Sequence, residues 1–391
     1  MRELSARINR LSKRKQFNPI KNIITHNHTD FKGENQTAVL LGFAAAWEVL
    51  MKLINKRTAA ALIAGLLLIL TGFIMKWHSK NRDGAKSSPS YTQQMFAMDA
   101  PCSLTLYGSQ DFINIRDRIS ELDGKISNYG EDAEIAKLNK NKSAVISEDT
   151  ENLIEKSLSL YEEYGEVNPL IGEITGLWNV TGENPAVPSD KQIKAALKTV
   201  NMDNIVTDGE NCTLKNGASL DFGATGKGFA LDEVKKTLIK QSVECAVISF
   251  GSSTLLYGRK PDGSPFKVSV ANPENDSQPL LKFTTDSAFV STSGGYERYF
   301  EADGKKYCHI FDEKTGKPVE TDLTSVTVIC ASGIKSDFFS TRIFMGGTEE
   351  LEKWLSHGEI QIIAVDKDRN VYCSDSLRAN IVMNSSDFRL K

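Results

Sequence analysis

The chain has 391 residues, enough for two or three domains, with a formal net charge of −3 and charged residues at 25%. That balance carries no basic excess and excludes nucleic acid as an expected partner. The six cysteines (Cys102, Cys212, Cys245, Cys308, Cys330, Cys373) stand singly with no CxxC pair, which argues against zinc and thioredoxin-type chemistry. Their even number permits disulfides, but most lie in apolar strand-like stretches, so buried free thiols are expected.

In chain order, the first feature is residues 37–54, TAVLLGFAAAWEVLMKLI, apolar but interrupted by Glu48 and Lys52, which reads as an interfacial helix. Residues 58–77, TAAALIAGLLLILTGFIMKW, follow with Lys76 as their only charge. As a helix, twenty such residues reach about 30 Å, the thickness of a bilayer core. Residues 1–36 carry eight Lys or Arg against three acids, so the N-terminus is expected in the cytoplasm and the C-terminal bulk outside the cell membrane. A crossing by 37–54 as well would put both ends on one side. Met51 opens MKLINKR, a basic stretch ahead of the apolar run, so residues 1–50 could be an over-long gene start. No small-x-small cleavage site follows, and the expectation is an uncleaved anchor.

The organisation expected is therefore a cytoplasmic or interfacial segment (1–56), a transmembrane anchor (57–77), a polar linker (78–94) and one globular domain (95–391). Within that domain, 111–126 and 150–163 have helical apolar spacing. Asn216-Gly217 sits between short alternating runs and signals a hairpin. Residues 245–250, 266–271, 288–292, 325–331 and 360–365 read as strands, and 336–344 and 348–356 as helices. Helices and strands mix without βαβ alternation, which predicts an α+β fold with a largely antiparallel sheet.

Three stretches could carry chemistry. DFGATGKGFALD, residues 221–232, places three glycines and Lys227 before a helix expected to start near Lys227. Such a turn can cradle an anion on free N–H groups, or be only a strand–helix turn. It lacks the GxxxxGK[ST] spacing of a P-loop and the GxGxxG of a dinucleotide fold. In SDFFSTRIF, residues 336–344, Asp337 and Thr341 are four apart and share a helical face. That oxygen pair suits Mg²⁺, though Ser336 or Asp337 could equally cap the helix. VSTSGGYERYF and YCHIFDEKTGKP bring a Thr-Ser-Gly turn and His309 near Asp312, the makings of a proton-transfer site. The other histidine of this region, His357, is expected to lie exposed at a helix end.

In this order the blocks FAMDAPCSLTLYG, ISNYGEDAEIAKLN, NPLIGEITGLWNV, LDFGATGKGFALD, VSTSGGYERYF, HIFDEKTGKP and VTVICASGIKSDFFSTRIFMGG resemble the ApbE family of flavin transferases, over residues 95–390. The resemblance implies a membrane-anchored, Mg²⁺-dependent enzyme that takes FMN from FAD and attaches it to a threonine of an acceptor protein, such as a membrane redox subunit, releasing AMP. It implies a metal held by the Ala224 carbonyl, Asp337 and Thr341, with Ser340 in a lesser part. The flavin nucleotide would meet Met98, Tyr129, Glu166, Val167, Asn168, Asp221, Lys227 and Ile310. His309 is then the expected base, Asp312 its reserve or orienting partner, and Lys227 a neutraliser of pyrophosphate charge. Water in place of threonine would make an FAD pyrophosphatase; a degraded site would leave a flavin-binding protein. The family often has Met-Gly-Thr where this chain has Met98-Asp99-Ala100, and Asp-Pro-Thr where it has Asn168-Pro169-Leu170. The missing carboxylate at Asn168 is the departure that bears most on ligand binding.

Overall fold

The computed structural model describes residues 89–391 except 128–129, 131 and 276–277. The expected anchor, the 37–54 segment and Tyr129 lie outside the described residues. Among the described residues no helix is long and apolar enough to cross a membrane.

A nine-stranded sheet organises the domain. Its strands are β1 (Ser90–Ala97), β2 (Ala100–Tyr107), β3 (Cys245–Phe250), β4 (Ser253–Gly258), β5 (Ala288–Gly294), β6 (Leu323–Cys330), β7 (Gln361–Asp366), β8 (Asn370–Cys373) and β9 (Arg389–Leu390). Their order in space is their order in the chain. Every neighbouring pair is antiparallel except β8 and β9, so the α+β, mainly antiparallel expectation holds. β1 begins inside the stretch read as linker.

Alternation along the central strands decides the layers. Ile248, Leu255, Phe289, Val328 and Ile362 face one core, while Val290, Ile329 and Ile363 face another. The second core is closed by a small sheet of Phe266–Ala271, Pro279–Thr285 and Ile381–Met383. Four main helices cover the first face: α1 (Ile113–Ile126), α2 (Glu148–Tyr164), α3 (Gly226–Lys240) and α4 (Gly333–Trp354).

The helices follow their apolar spacing. In α1, Ile115, Ile119, Leu122 and Ile126 form one buried face. α2 opens with Glu148, Asp149 and Glu151 in its first turn, where the helix dipole favours negative charge. The two helices expected at 336–344 and 348–356 are one element interrupted at Gly347, whose φ of 68° and ψ of −162° are non-helical.

Two local expectations are corrected. Asn216 and Gly217 do form a tight turn with φ of 52° and 78°, but no hairpin closes on it. The chain beyond makes a single parallel bridge, Ser219 with Ile171, because Asn211–Leu214 already pairs with Ile205–Asp208 and Ser143–Val145. Thr292-Ser293-Gly294 is the end of β5 rather than a turn. All six cysteines are free, Cys308 half-buried and the others buried, and His357 is exposed beyond α4.

Candidate active site

One cavity of about 1080 Å³ gathers most of the residues singled out from the sequence. Met98, Glu166, Val167, Asn168, Asp221, Ala224, Lys227, His309, Ile310 and Thr341 line it. Asp337 and Ser340 are buried behind that lining, at 4% and 1% exposure.

The 221–227 turn is built by its own hydrogen bonds. The Asp221 carboxylate accepts from the Gly223 N–H at 2.7 Å and from the Thr175 hydroxyl at 2.8 Å. Its N–H donates to the Pro169 carbonyl at 2.8 Å, fastening the turn to the Glu166–Pro169 loop. The Phe222 carbonyl accepts from both Thr225 and Gly226 N–H, and α3 begins at Gly226. Lys227, second in that helix, enters no ion pair among the described residues and points its charge at the cavity that Glu297 and His309 share.

The oxygen donors come from two elements, α4 and the 221–227 turn. Asp337 Oδ2 accepts from the Gly228 N–H at 2.5 Å and Oδ1 from the Ser253 hydroxyl at 2.7 Å. Each carboxylate oxygen has a second lone pair, so the group keeps capacity for a cation. The Ala224 carbonyl accepts no hydrogen bond among the described residues. The Thr341 hydroxyl shares a contact with Ser293 at 3.1 Å. One carboxylate, one carbonyl and one hydroxyl form a hard-oxygen set that fits Mg²⁺ and leaves positions for phosphate oxygens and water. Ser340 fits less well: its hydroxyl donates back to the Asp337 carbonyl at 2.9 Å and also meets Ser293. No cluster of three or more His, Cys, Asp or Glu is found among the described residues.

His309 is held by Arg298, not by Asp312. Its Nδ1–H donates to the Arg298 carbonyl at 3.1 Å, which fixes the tautomer and leaves Nε2 with the lone pair. Burial lowers its pKa to about 4; the Arg298 carbonyl bond opposes that shift, and the Arg298 and Lys227 charges assist it. Asp312 instead caps its own turn, accepting from the Lys314 N–H and the Thr315 hydroxyl. It lines a second cavity of about 440 Å³, not the large one.

Three groups escaped the sequence reading. Ser253 bonds Asp337, yet a serine at a strand start gives no signal of its own; Ser293, read only as part of a Thr-Ser-Gly turn, meets Ser340 and Thr341 instead. Glu297, reached by solvent inside the cavity but ringed by protein, has its pKa raised by desolvation against the pull of Lys227 and Arg298. Glu313 bears on the question raised by Asn168. The Asn168 Oδ1 accepts from the Leu170 N–H at 2.9 Å, and next to it the Tyr161 hydroxyl donates to Glu313 at 3.1 Å. A carboxylate does stand next to Asn168 on Glu313, whose pKa burial pushes up, but Glu313 does not line the large cavity.

Fold and site together define an α+β protein with one large cleft that gathers Lys227, His309, Ala224 and Thr341. The sequence pattern of the ApbE family matches residues 98–364, and the chain belongs to that family. It is similar to an FAD:protein FMN transferase of Klebsiella pneumoniae, 33% identical over 216 residues, covering 54% of this chain and 66% of that one. A second FAD:protein FMN transferase, from Treponema pallidum, is 27% identical over 288 residues, covering 66% and 80%. The crystal structure of the ApbE protein from Thermotoga maritima superposes with a TM-score of 0.67 at 28% identity, covering 74% of this chain and 98% of that one. The flavin transferase ApbE from Vibrio cholerae shares the fold, with a TM-score of 0.65 at 21% identity over 75% and 99% of the two chains.

Proposed function

We propose that the chain is an FAD:protein FMN transferase that moves FMN from FAD to a threonine hydroxyl of an acceptor protein. The observation that carries this reading is His309. It is a neutral imidazole with a fixed tautomer, beside Lys227, in a cavity of about 1080 Å³. Family membership and the names of the relatives agree with it.

The chemistry balances on these residues. The threonine oxygen attacks the FMN-side phosphorus of the pyrophosphate, and its proton passes to His309 Nε2. The P–O bond to AMP breaks, and AMP leaves with the bridging oxygen and its electron pair. Lys227 offsets the negative charge that gathers on the departing phosphate. Ala224, Asp337 and Thr341 are the residues that would hold Mg²⁺, which when bound neutralises pyrophosphate charge. The turn at Met98, the Glu166–Asn168 loop and Ile310 wall the cleft and would orient the flavin nucleotide. Residues 57–77 would anchor the enzyme with this domain outside the cell membrane, facing an acceptor on the same side.

The test is one incubation: the full chain, FAD, Mg²⁺ and an acceptor domain, read as covalent flavin fluorescence on a denaturing gel and as AMP released. Labelled acceptor with equimolar AMP, both lost with EDTA and restored by Mg²⁺, is the expected result. AMP without label would make the protein an FAD pyrophosphatase, and neither product would leave a flavin-binding protein.

A further inference from the structure

Two helices meet at the candidate metal site, and neither caps itself. Thr225, the N-cap residue of α3, makes no side-chain cap hydrogen bond, and its hydroxyl is shared with Ser157 at 3.0 Å instead. Ser332, the N-cap residue of α4, makes none either. Unpaired N–H groups at a buried helix start are costly and demand partners. Here each helix supplies them to the other.

Asp337 of α4 accepts the Gly228 N–H of α3 at 2.5 Å. Asp232 of α3 accepts the Gly333 and Ile334 N–H groups of α4, both at 2.9 Å, and the Ser332 hydroxyl at 3.3 Å. The arrangement is reciprocal in sequence as well. Gly228 and Asp232 are four apart on α3, Gly333 and Asp337 four apart on α4, so glycine and carboxylate share a face of each helix. The glycines permit the approach. A Cβ on Gly228 would stand 2.1 Å from the Gly333 carbonyl oxygen, and one on Gly333 2.2 Å from the Gly228 oxygen. No side chain fits between backbones that close.

We infer that Asp232 is a positioning residue for the metal site, one half of a reciprocal clasp whose other half is Asp337. The inference rests on the reading of Asp337 and Thr341 as metal ligands. Both lie within the first turns of α4, so the start of that helix sets where their oxygens point. Asp232 fixes that start with two charge-assisted hydrogen bonds to backbone, and the negative charge complements the helix dipole. Ser253 steadies the other oxygen of Asp337 from β4. The last residue of the DFGATGKGFALD stretch therefore acts on the cation through α4, without touching it.

The experiment measures Mn²⁺ affinity by electron paramagnetic resonance on the full chain, well below the melting temperature, with near-UV circular dichroism as the fold check. Asp232→Ala should weaken Mn²⁺ binding about tenfold or more, the scale typical of lost outer-shell partners. Asp232→Asn keeps one accepting oxygen and should lose less, and Asp337→Ala should bind no Mn²⁺ at this site. A folded Asp232→Ala that melts lower but binds Mn²⁺ like the wild type would overturn the inference, since a merely structural role predicts that pattern. Should Asp232→Ala fail to fold, Asp232→Asn decides: wild-type affinity there overturns the inference, weakened affinity supports it. Absence of Mn²⁺ binding by the wild type would instead overturn the metal reading, and the clasp inference with it.

Discussion

The acid limb of the transfer reaction should lie far below that of a free imidazole. Burial takes His309 from 6.5 to about 4, with Arg298 and Lys227 adding to the shift. At pH 5.5 a base with a pKa of 6.5 is only about 9% neutral, whereas one near 4 is about 97% neutral. The two cases differ roughly tenfold in competent enzyme at that pH. The quantity to measure is kcat/KM for FAD from pH 4.5 to 8, because it reports the free enzyme and not the FAD complex, whose phosphates would raise the histidine again. The expected profile is flat from pH 7 down to about 5. A decade of loss per pH unit beginning at 6.5 would refute the assignment of a desolvated, neutral His309. Stability carries the same signature with a definite sign. The unfolded chain protonates His309 near 6.5 and the folded chain only near 4. Between those values the unfolded state binds more protons, so the contribution is complete above 6.5 and lost as pH falls to about 4. From the 2.5-unit gap its size is at most about 3 kcal/mol.

Other substitutions test single contacts. His309→Ala should keep FAD affinity while transfer falls by roughly 10²–10⁴-fold; unchanged transfer would dismiss it as the base. Asp337→Ala should abolish labelling of the acceptor, and by leaving the Gly228 N–H and Ser253 hydroxyl without their acceptor it should cost about 1–3 kcal/mol in a denaturant titration. Gly228→Ala forces α3 and α4 apart, since its Cβ would meet backbone at 2.1 Å; a loss of about 1–3 kcal/mol and impaired transfer are expected, and an unchanged melting curve would contradict the close contact. Asn168→Asp sets a carboxylate against Glu313 and should destabilise the protein at pH 8 by about 1–3 kcal/mol. That penalty should shrink toward pH 5 as the pair takes up a proton, visible as a converging pair of melting temperatures.

What could be read from the sequence was what local pattern controls. α1 and the strands β3, Phe266–Ala271 and β7 lie within a residue or two of their expected limits, because alternation and helical spacing act within a few positions. Asn216-Gly217 shows where that logic stops. The turn forms as its residues dictate, but both edges of Asn211–Leu214 are taken by Ile205–Asp208 and Ser143–Val145, partners no local pattern names. Asp337 and Thr341 were legible as a helical pair, whereas Ser253 and Gly228, which tie down Asp337, lie 84 and 109 residues away in the chain. Asp312 was read beside His309 by nearness in sequence. The chain instead turns between them, and a backbone carbonyl, which no side-chain pattern encodes, takes the orienting place.

That carbonyl belongs to a residue with a second task. The hairpin of Tyr299–Ala302 and Lys305–Cys308 pairs Tyr299 with Cys308, so its register sets Arg298 opposite His309 at the cavity edge. The Arg298 carbonyl there receives both the backbone N–H and the Nδ1–H of His309. Its guanidinium meanwhile reaches the turn between β1 and β2, with 2.6 Å to the Asp99 carboxylate and 2.7 Å to the Asp99 carbonyl. Met98 and Asp99 both hold φ near 50°, a conformation that costs a non-glycine residue roughly 1–2 kcal/mol. A family member with glycine at the second position avoids that cost there. This chain offsets it with the Arg298 fork, although an ion pair whose side chains are 40% and 46% exposed contributes little beyond about 1 kcal/mol. The gain is therefore geometric more than energetic: one residue ties the wall at Met98 to the imidazole at His309, and the two sides of the cleft keep a common frame.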